Sequence, residues 1–319
     1  MKAAVIYEKA GLPQYVDIPE PTSKNGDEVL VTVRAAAIKQ LDRARASGQH
    51  YSTNTSNTAR VIGGDGICIL KNGTRVYGMS IEGMLSERTL IHTDRIVPIP
   101  KNLDDATAAA LPNAVIGSAM GLKFKADIQP GDIVLINGAT GFTGRVAVQI
   151  AKHYGAKKVI ATGRNPKGLH DLLTLGADEI IPITGDDETF KTQIKKHRPD
   201  IVIDYLWGHT AEMILDCLKG DGSFTNRIRY VSIGSMSGDI IQLSAANLRS
   251  VDLQLSGSGL GAWSKPQVAS FFKEIMPEMY KLAADNKLKI QTVTARLENI
   301  ADLWDLKIPD GQRLVVTIP

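Results

Sequence analysis

The chain has 319 residues, 43% of them hydrophobic, with 37 Lys or Arg against 34 Asp or Glu and a formal net charge of +3. That length exceeds what one ordinary core uses, so two domains are expected, and the near balance of charge excludes the basic face of a nucleic-acid binder. No run reaches the roughly eighteen apolar residues of a membrane span, no signal-peptide core opens the chain, and the two cysteines, Cys68 and Cys217, lack Cys or His neighbours at metal spacing, so a cytoplasmic protein without disulfide framework or structural zinc is expected.

Short β-type runs at 3–7, 29–37 and 61–70, punctuated by Gly, Pro, Asn and Asp, predict a compact β domain at the start of the chain. Residues 27–34 alternate apolar and polar like a half-buried strand, and residues 34–43 leave it for a turn or short helix. Polar groups at that strand end, Lys39, Gln40, Asp42 and Tyr51, are candidates to face a ligand; a solvated surface is the alternative for each. Residues 47–60 are rich in Ser, Thr and Asn and read either as a lid over a ligand or as a loop without function.

Residues 104–112 and 114–125 predict two helices, the first carrying acids in its first turn and ended by Pro112, with a domain boundary near 115. After the Pro130-Gly-Asp turn comes the most informative stretch, an apolar run from Val134, the turn Gly138-Ala-Thr-Gly-Phe-Thr-Gly144, and a helical segment with Val146, Ala147, Ile150, Ala151 and Tyr154 on one face and Gly155 beyond its end. A strand delivers a phosphate to a helix N-terminus in this way, and the glycines allow a positive φ, close backbone approach and tight helix packing. Ala139, Thr140, Gly141, Phe142, Thr143 and Gly144 are therefore assigned to a dinucleotide.

A second strand over 158–162 ends about twenty residues beyond the turn, where an acid would accept from the adenosine ribose and favour NAD. Here the chain reads Gly163-Arg-Asn-Pro-Lys-Gly168. Gly163, Arg164 and Lys167 are assigned to a ribose 2′-phosphate, which makes NADP (as NADPH) the expected cofactor; ordinary surface cations are the alternative.

Helices at 169–175, 187–196 and 210–219 alternate with strands at 179–182, 201–204 and 228–233, which predicts a doubly wound parallel sheet of α/β class. Ligands of such sheets sit at strand C-terminal ends, so residues 204–208 and 232–237 are expected to line the site, with Ser232, Gly234 and Ser235 at the cofactor and Trp207 either there or in plain packing. A last strand at 251–255 needs covering if it lies at the sheet edge, and a homodimer would supply the cover. Ser264 can cap a long helix to 282 kinked at Pro277, and a β run closes the chain at 314–318.

Val61-Ile-Gly-Gly-Asp-Gly66, Arg75-Val-Tyr-Gly78, Gly83-Met-Leu-Ser-Glu-Arg88, Val97-Pro-Ile-Pro100, Ala108-Ala-Ala-Leu-Pro112 and the stretch from Pro130 to Gly144 occur in an order that resembles the medium-chain dehydrogenase/reductase superfamily, in its zinc-independent quinone oxidoreductase-like branch. The resemblance spans nearly the whole chain. It implies a GroES-like catalytic domain over 1–114, completed by 262–319, a Rossmann NADP-binding domain over 115–261, NADPH in the cleft, and often a dimer.

Zinc members of that superfamily place a Cys ligand where this chain has Ile38-Lys39, and Gly-His-Glu where it has Gly63-Gly64-Asp65. The cysteine-rich structural zinc lobe is also missing, so metal-free hydride transfer to a quinone or an α,β-unsaturated carbonyl compound is the expected chemistry. The chain departs from the branch at Lys39, at Phe142-Thr143 and at Gly117. Lys39, Tyr51 and Asp42 form the expected catalytic set: a Lys39 cation could stabilise developing enolate charge, and the resemblance implies that Tyr51 aligns with a tyrosine many relatives place by the substrate, able to donate to a carbonyl oxygen; a ring packed in the loop is the alternative for Tyr51. Two other readings stand beside this one. An NADPH-binding redox sensor or structural protein would use the cofactor site without turnover. An atypical short-chain reductase would share the turn, but such chains begin with it and carry, in the expected region after it, a Tyr-x-x-x-Lys pair suitable for their chemistry, which that region lacks here.

Overall fold

The structure is a computed structural model that describes residues 1–8, 11–51, 53, 59–183, 185–223 and 226–319. Residues 52 and 54–58 of the expected lid loop therefore lie outside the described residues. The chain divides into two compact units, Met1–Asn113 with Ala269–Pro319, and Ala114–Val268.

The first unit opens with β1 (Lys2–Ile6), β2 (Gln14–Asp17), β3 (Glu28–Ala37), α1 (Gln40–Ala46), β4 (Arg60–Val61), β5 (Asp65–Ile69), β6 (Arg75–Met79), β7 (Arg88–His92), β8 (Val97–Pro98) and α2 (Asp105–Val115). The β run expected over 61–70 is two strands, because Gly63 turns the backbone at φ 91°. In α2, Pro112 lies inside the helix instead of ending it. Its missing N–H leaves the Ala108 carbonyl without a helical donor, and the Tyr280 hydroxyl donates to that carbonyl at 3.0 Å.

The second unit begins with a π-type helix, Ile116–Lys125, followed by β9 (Ile133–Asn137), α3 (Phe142–His153), β10 (Lys158–Gly163), α4 (Pro166–Thr174), β11 (Glu179–Pro182), α5 (Asp187–Lys195), β12 (Ile201–Asp204), α6 (Gly208–Cys217), β13 (Ile228–Ser232), α7 (Ala245–Arg249) and β14 (Leu253–Gly257). Its six strands are all parallel in the order β11-β10-β9-β12-β13-β14, the 3-2-1-4-5-6 order of a Rossmann domain. The strand order reverses between β9 and β12, and β14 is an edge strand. Leu135, Ile160, Val202 and Tyr230 are fully buried on the sheet and pack with Phe190, Ile194 and Ile214 of α5 and α6.

After α8 (Lys265–Ser270) the helix continues through a π-type turn, Phe271–Ile275, into α9 (Met276–Ala284), so the wide turn directly precedes Pro277. Then come β15 (Gln291–Arg296), α10 (Ile300–Trp304) and β16 (Gln312–Thr317). In the first unit β16 pairs antiparallel with β3, closing the sheet β15-β16-β3-β5-β6-β8 from both ends of the chain. Alternation along β3 sends Val31 and Val33 into a core shared with Ile91, Leu314, Val316 and Trp304.

Candidate functional site

In the second unit the chain leaves β9 at Asn137, whose side chain is fully buried, and turns at Gly138 with φ 84°. A Cβ at Gly144 would lie 2.6 Å from the Ala139 Cα, so glycine there lets α3 sit directly on the turn. Gly141 differs. It is exposed, caps α3 with an extended backbone, and a Cβ there would meet only the Gly138 oxygen at 3.8 Å. The space beside Gly141, at the N-terminus of α3, is thus open among the described residues, as an anion site requires.

Behind the turn, strand ends are joined by buried polar bonds. Thr162 donates to the Asn137 side-chain oxygen at 2.7 Å, and the Asn137 amide donates to Asp204 at 2.7 Å and to Thr210 at 3.2 Å. Beside the end of β10, Arg164 and Lys167 are exposed, and neither makes an ion pair among the described residues. Arg145 is committed elsewhere, to the Thr140 carbonyl and to Asp171 at 3.2 Å each. Asn165 caps α4 by accepting from the Gly168 N–H. Of these three cations near the turn, the two assigned from the sequence are the ones left open to solvent.

At the other side of the reversal, a pocket of about 330 Å³ lies at the ends of β12, β13 and β14, lined by Trp207, Ser232, Gly234, Ser235, Asp239 and Ser258 among others. Ser232, Gly234 and Ser235 were expected there; Asp239 and Ser258 were not, because no spacing rule reaches the loops that carry them. Asp204 organises the wall of this pocket. It is fully buried and accepts from the Asn137 amide, the Tyr230 hydroxyl at 2.8 Å, and the backbone N–H groups of Leu206 and Trp207. Burial pushes its carboxyl above the usual carboxylate range, against those donors.

The first unit holds a second polar cluster. Lys39 precedes α1, and the Asp42 carboxylate reaches back to the Lys39 backbone N–H at 2.9 Å. Its ammonium bonds to Asp65 on β5 and lies 3.4 Å from Asp42, while the Tyr77 hydroxyl on β6 donates to the other Asp65 oxygen at 3.0 Å. Lys39 is 3% exposed and Asp42 6%, so neither is on a solvated surface. Burial pulls the Lys39 ammonium down, the two carboxylates more than offset it, and the net shift is upward. Arg313 on β16 is also buried; desolvation lowers it to about 10 while Asp42 and Asp65 oppose the fall.

Lys39 and Asp42, two of the three expected catalytic residues, are thus together, whereas Tyr51 is 72% exposed beside the His50 ring, with centroids 4.1 Å apart. Sequence reading missed Asp65 and Tyr77 as partners. They meet diagonally across the β5–β6 pair, where Asp65 faces Met79 and Ile67 faces Tyr77. Where zinc relatives would carry ligands the cluster carries its own cation, and among the described residues no group of three or more His, Cys, Asp or Glu is placed to hold a metal ion. These residues do not fit a catalytic zinc. Burial raises the thiols of Cys68 to about 12 and of Cys217 to about 11, so both stay protonated at neutral pH.

Residues 143–276 match the family described as Zinc-binding dehydrogenase. The chain is 30% identical over 250 residues to the quinone oxidoreductase of Sus scrofa, covering 74% of each chain. Over a shorter span of 181 residues it is 36% identical to 2-methylene-furan-3-one reductase of Solanum lycopersicum, covering 50% of this chain and 46% of that one. Among solved structures, the quinone oxidoreductase of Thermus thermophilus, which was also solved with NADPH, superposes with a TM-score of 0.77 at 24% identity, covering 99% of this chain and 100% of that chain. That likeness shows the fold, a GroES-like unit and a Rossmann unit. The chain belongs to the medium-chain dehydrogenase/reductase superfamily, in its quinone reductase-like branch.

Proposed function

We propose that this protein is an NADPH-dependent oxidoreductase that reduces a quinone or an α,β-unsaturated carbonyl compound without a catalytic metal. The observation that carries the reading is the anion site of the second unit: an exposed Gly141 with open space at its missing Cβ, the N-terminus of α3 behind it, and Arg164 and Lys167 exposed at the end of β10 without an ion pair among the described residues. The quinone oxidoreductase and furanone reductase among its relatives support the same chemistry.

The turn from Ala139 to Gly144 would hold the pyrophosphate, Gly163, Arg164 and Lys167 the adenosine ribose and its 2′-phosphate, and Ser232, Gly234 and Ser235 the remaining half. Bound NADPH supplies the hydride. In the first unit the Lys39 ammonium faces two carboxylates, which cancel most of the field it could exert on a developing enolate. Its proposed role, shared with Asp42, is to keep Asp65 and α1 in place as an internal countercation. Tyr51 is the exposed member of the expected catalytic set, and it is proposed to donate to the acceptor oxygen.

The proposed working form is a cytoplasmic homodimer that binds no nucleic acid, with the edge strand β14 covered by a second copy. Its functional division is a catalytic part over 1–114 and 262–319 and a cofactor part over 115–261. NADPH consumption measured with a panel of quinones and enones, beside a direct NADPH titration, tests the function. Tight binding without turnover on any acceptor would favour the redox-sensor reading instead. Light scattering at micromolar protein tests the dimer, and a single monomeric species would remove it.

A further inference from the structure

Trp207 has φ 57° and ψ −155°, a conformation that costs a residue with a side chain of order 1–3 kcal/mol and that collects at ligand sites. The strain has an identifiable holder. The Trp207 backbone N–H lies 3.2 Å from each carboxylate oxygen of Asp204, and the Leu206 N–H donates to the same group at 2.9 Å. The Tyr230 hydroxyl donates to Asp204 as well, and the Tyr230 ring meets the Trp207 indole edge-on, with centroids 6.3 Å apart at 74°. One buried carboxylate thus fixes both the backbone of Trp207 and the ring that buttresses its side chain. Trp207 thus lines the pocket at the ends of β12, β13 and β14, with one side of its indole packed against the buried core around Tyr230.

The sheet order says which part of a ligand reaches that pocket. Arg164 and Lys167 stand at the end of β10, on one side of the reversal at β9, and the pocket stands on the other side, at β12, β13 and β14. A dinucleotide laid across the reversal with its 2′-phosphate at β10 places its other half over the pocket. The pocket suits an uncharged half. Serine hydroxyls and the Asp239 carboxylate can accept hydrogen bonds, and among the described residues no cation lines it to receive a phosphate.

We infer that Trp207 is the aromatic wall against which the nicotinamide half of the cofactor packs, and that Asp204 is the positioning residue that holds it there. The inference rests on the proposed NADPH reading, and the test separates the two. NADPH and 2′-phospho-ADP-ribose, which lacks the nicotinamide, are titrated into the wild type, Trp207→Ala, Asp204→Asn and Tyr230→Phe. Trp207→Ala should weaken NADPH about tenfold and leave 2′-phospho-ADP-ribose unchanged. Asp204→Asn should show the same split, and Tyr230→Phe a smaller one in the same direction. If Asp204→Asn fails to fold, the other two variants decide. An unchanged NADPH affinity in Trp207→Ala, or an equal loss for both ligands, overturns the inference. Wild type that binds 2′-phospho-ADP-ribose as tightly as NADPH overturns it too, while leaving the phosphate site standing. Wild type that binds neither ligand refutes the cofactor reading itself.

Discussion

The ammonium of Lys39 is bonded to the carboxylate of Asp65 in a setting where Lys39 is 3% exposed, with Asp42, the Tyr77 hydroxyl and the buried Arg313 cation around the pair. Removing one partner of such a pair leaves an uncompensated buried charge. Lys39→Met should therefore destabilise the protein by about 3–5 kcal/mol in denaturant unfolding. The pH dependence has a definite sign. A lysine raised in the folded state contributes stability that is complete below its ordinary value of 10.5 and is lost as pH rises through the folded value, so the gap between wild type and variant should hold at neutral pH and close above about 10.5. A gap below about 1 kcal/mol at neutral pH would mean the pair holds nothing together.

Arg164→Ala should weaken NADPH by roughly 1–3 kcal/mol and leave NADH almost unaffected, because only the former carries the 2′-phosphate. Equal losses for both cofactors in parallel titrations would remove that assignment from Arg164.

Two glycines of one turn should respond in opposite ways. Gly144→Ala puts a methyl 2.6 Å from the Ala139 Cα and should cost about 1–3 kcal/mol of stability. Gly141→Ala meets no atom closer than 3.8 Å, so its melting temperature should match the wild type while NADPH affinity falls at least about tenfold. A Gly141→Ala protein that binds NADPH normally would show that the open space beside this residue holds no phosphate.

At Trp207 the strain can be read directly. Trp207→Ala and Trp207→Gly both delete the indole, but only glycine adopts φ 57° and ψ −155° freely. The glycine variant should be the more stable by about 1 kcal/mol in spite of its greater unfolded-state entropy. The reverse order would indicate that the backbone relaxes at no cost.

Much of the second unit is legible in the residues alone, because each of its elements buries a face whose period is local. Strands β11 and β12 occur where the apolar runs are, and Arg164 and Lys167 stand where their distance from the turn puts them. What escaped is non-local. The interior position of Pro112 depends on Tyr280, far along the chain, reaching the Ala108 carbonyl. Lys39 and Asp42 read as groups facing a ligand or solvent, not each other, because the anion that lets Lys39 be buried, Asp65, arrives on another strand through the pairing of β3 with β5. The Trp207 conformation follows from a bond to Asp204 that no propensity encodes.

The most direct measurement of the central claim is NADPH consumption by the purified protein in EDTA, with a panel of quinones and α,β-unsaturated carbonyl compounds. The account predicts turnover on at least one acceptor, unchanged by the chelator and much weaker with NADH than with NADPH. Activity that disappears in EDTA and returns with zinc would contradict it, and so would tight NADPH binding with no turnover on any acceptor.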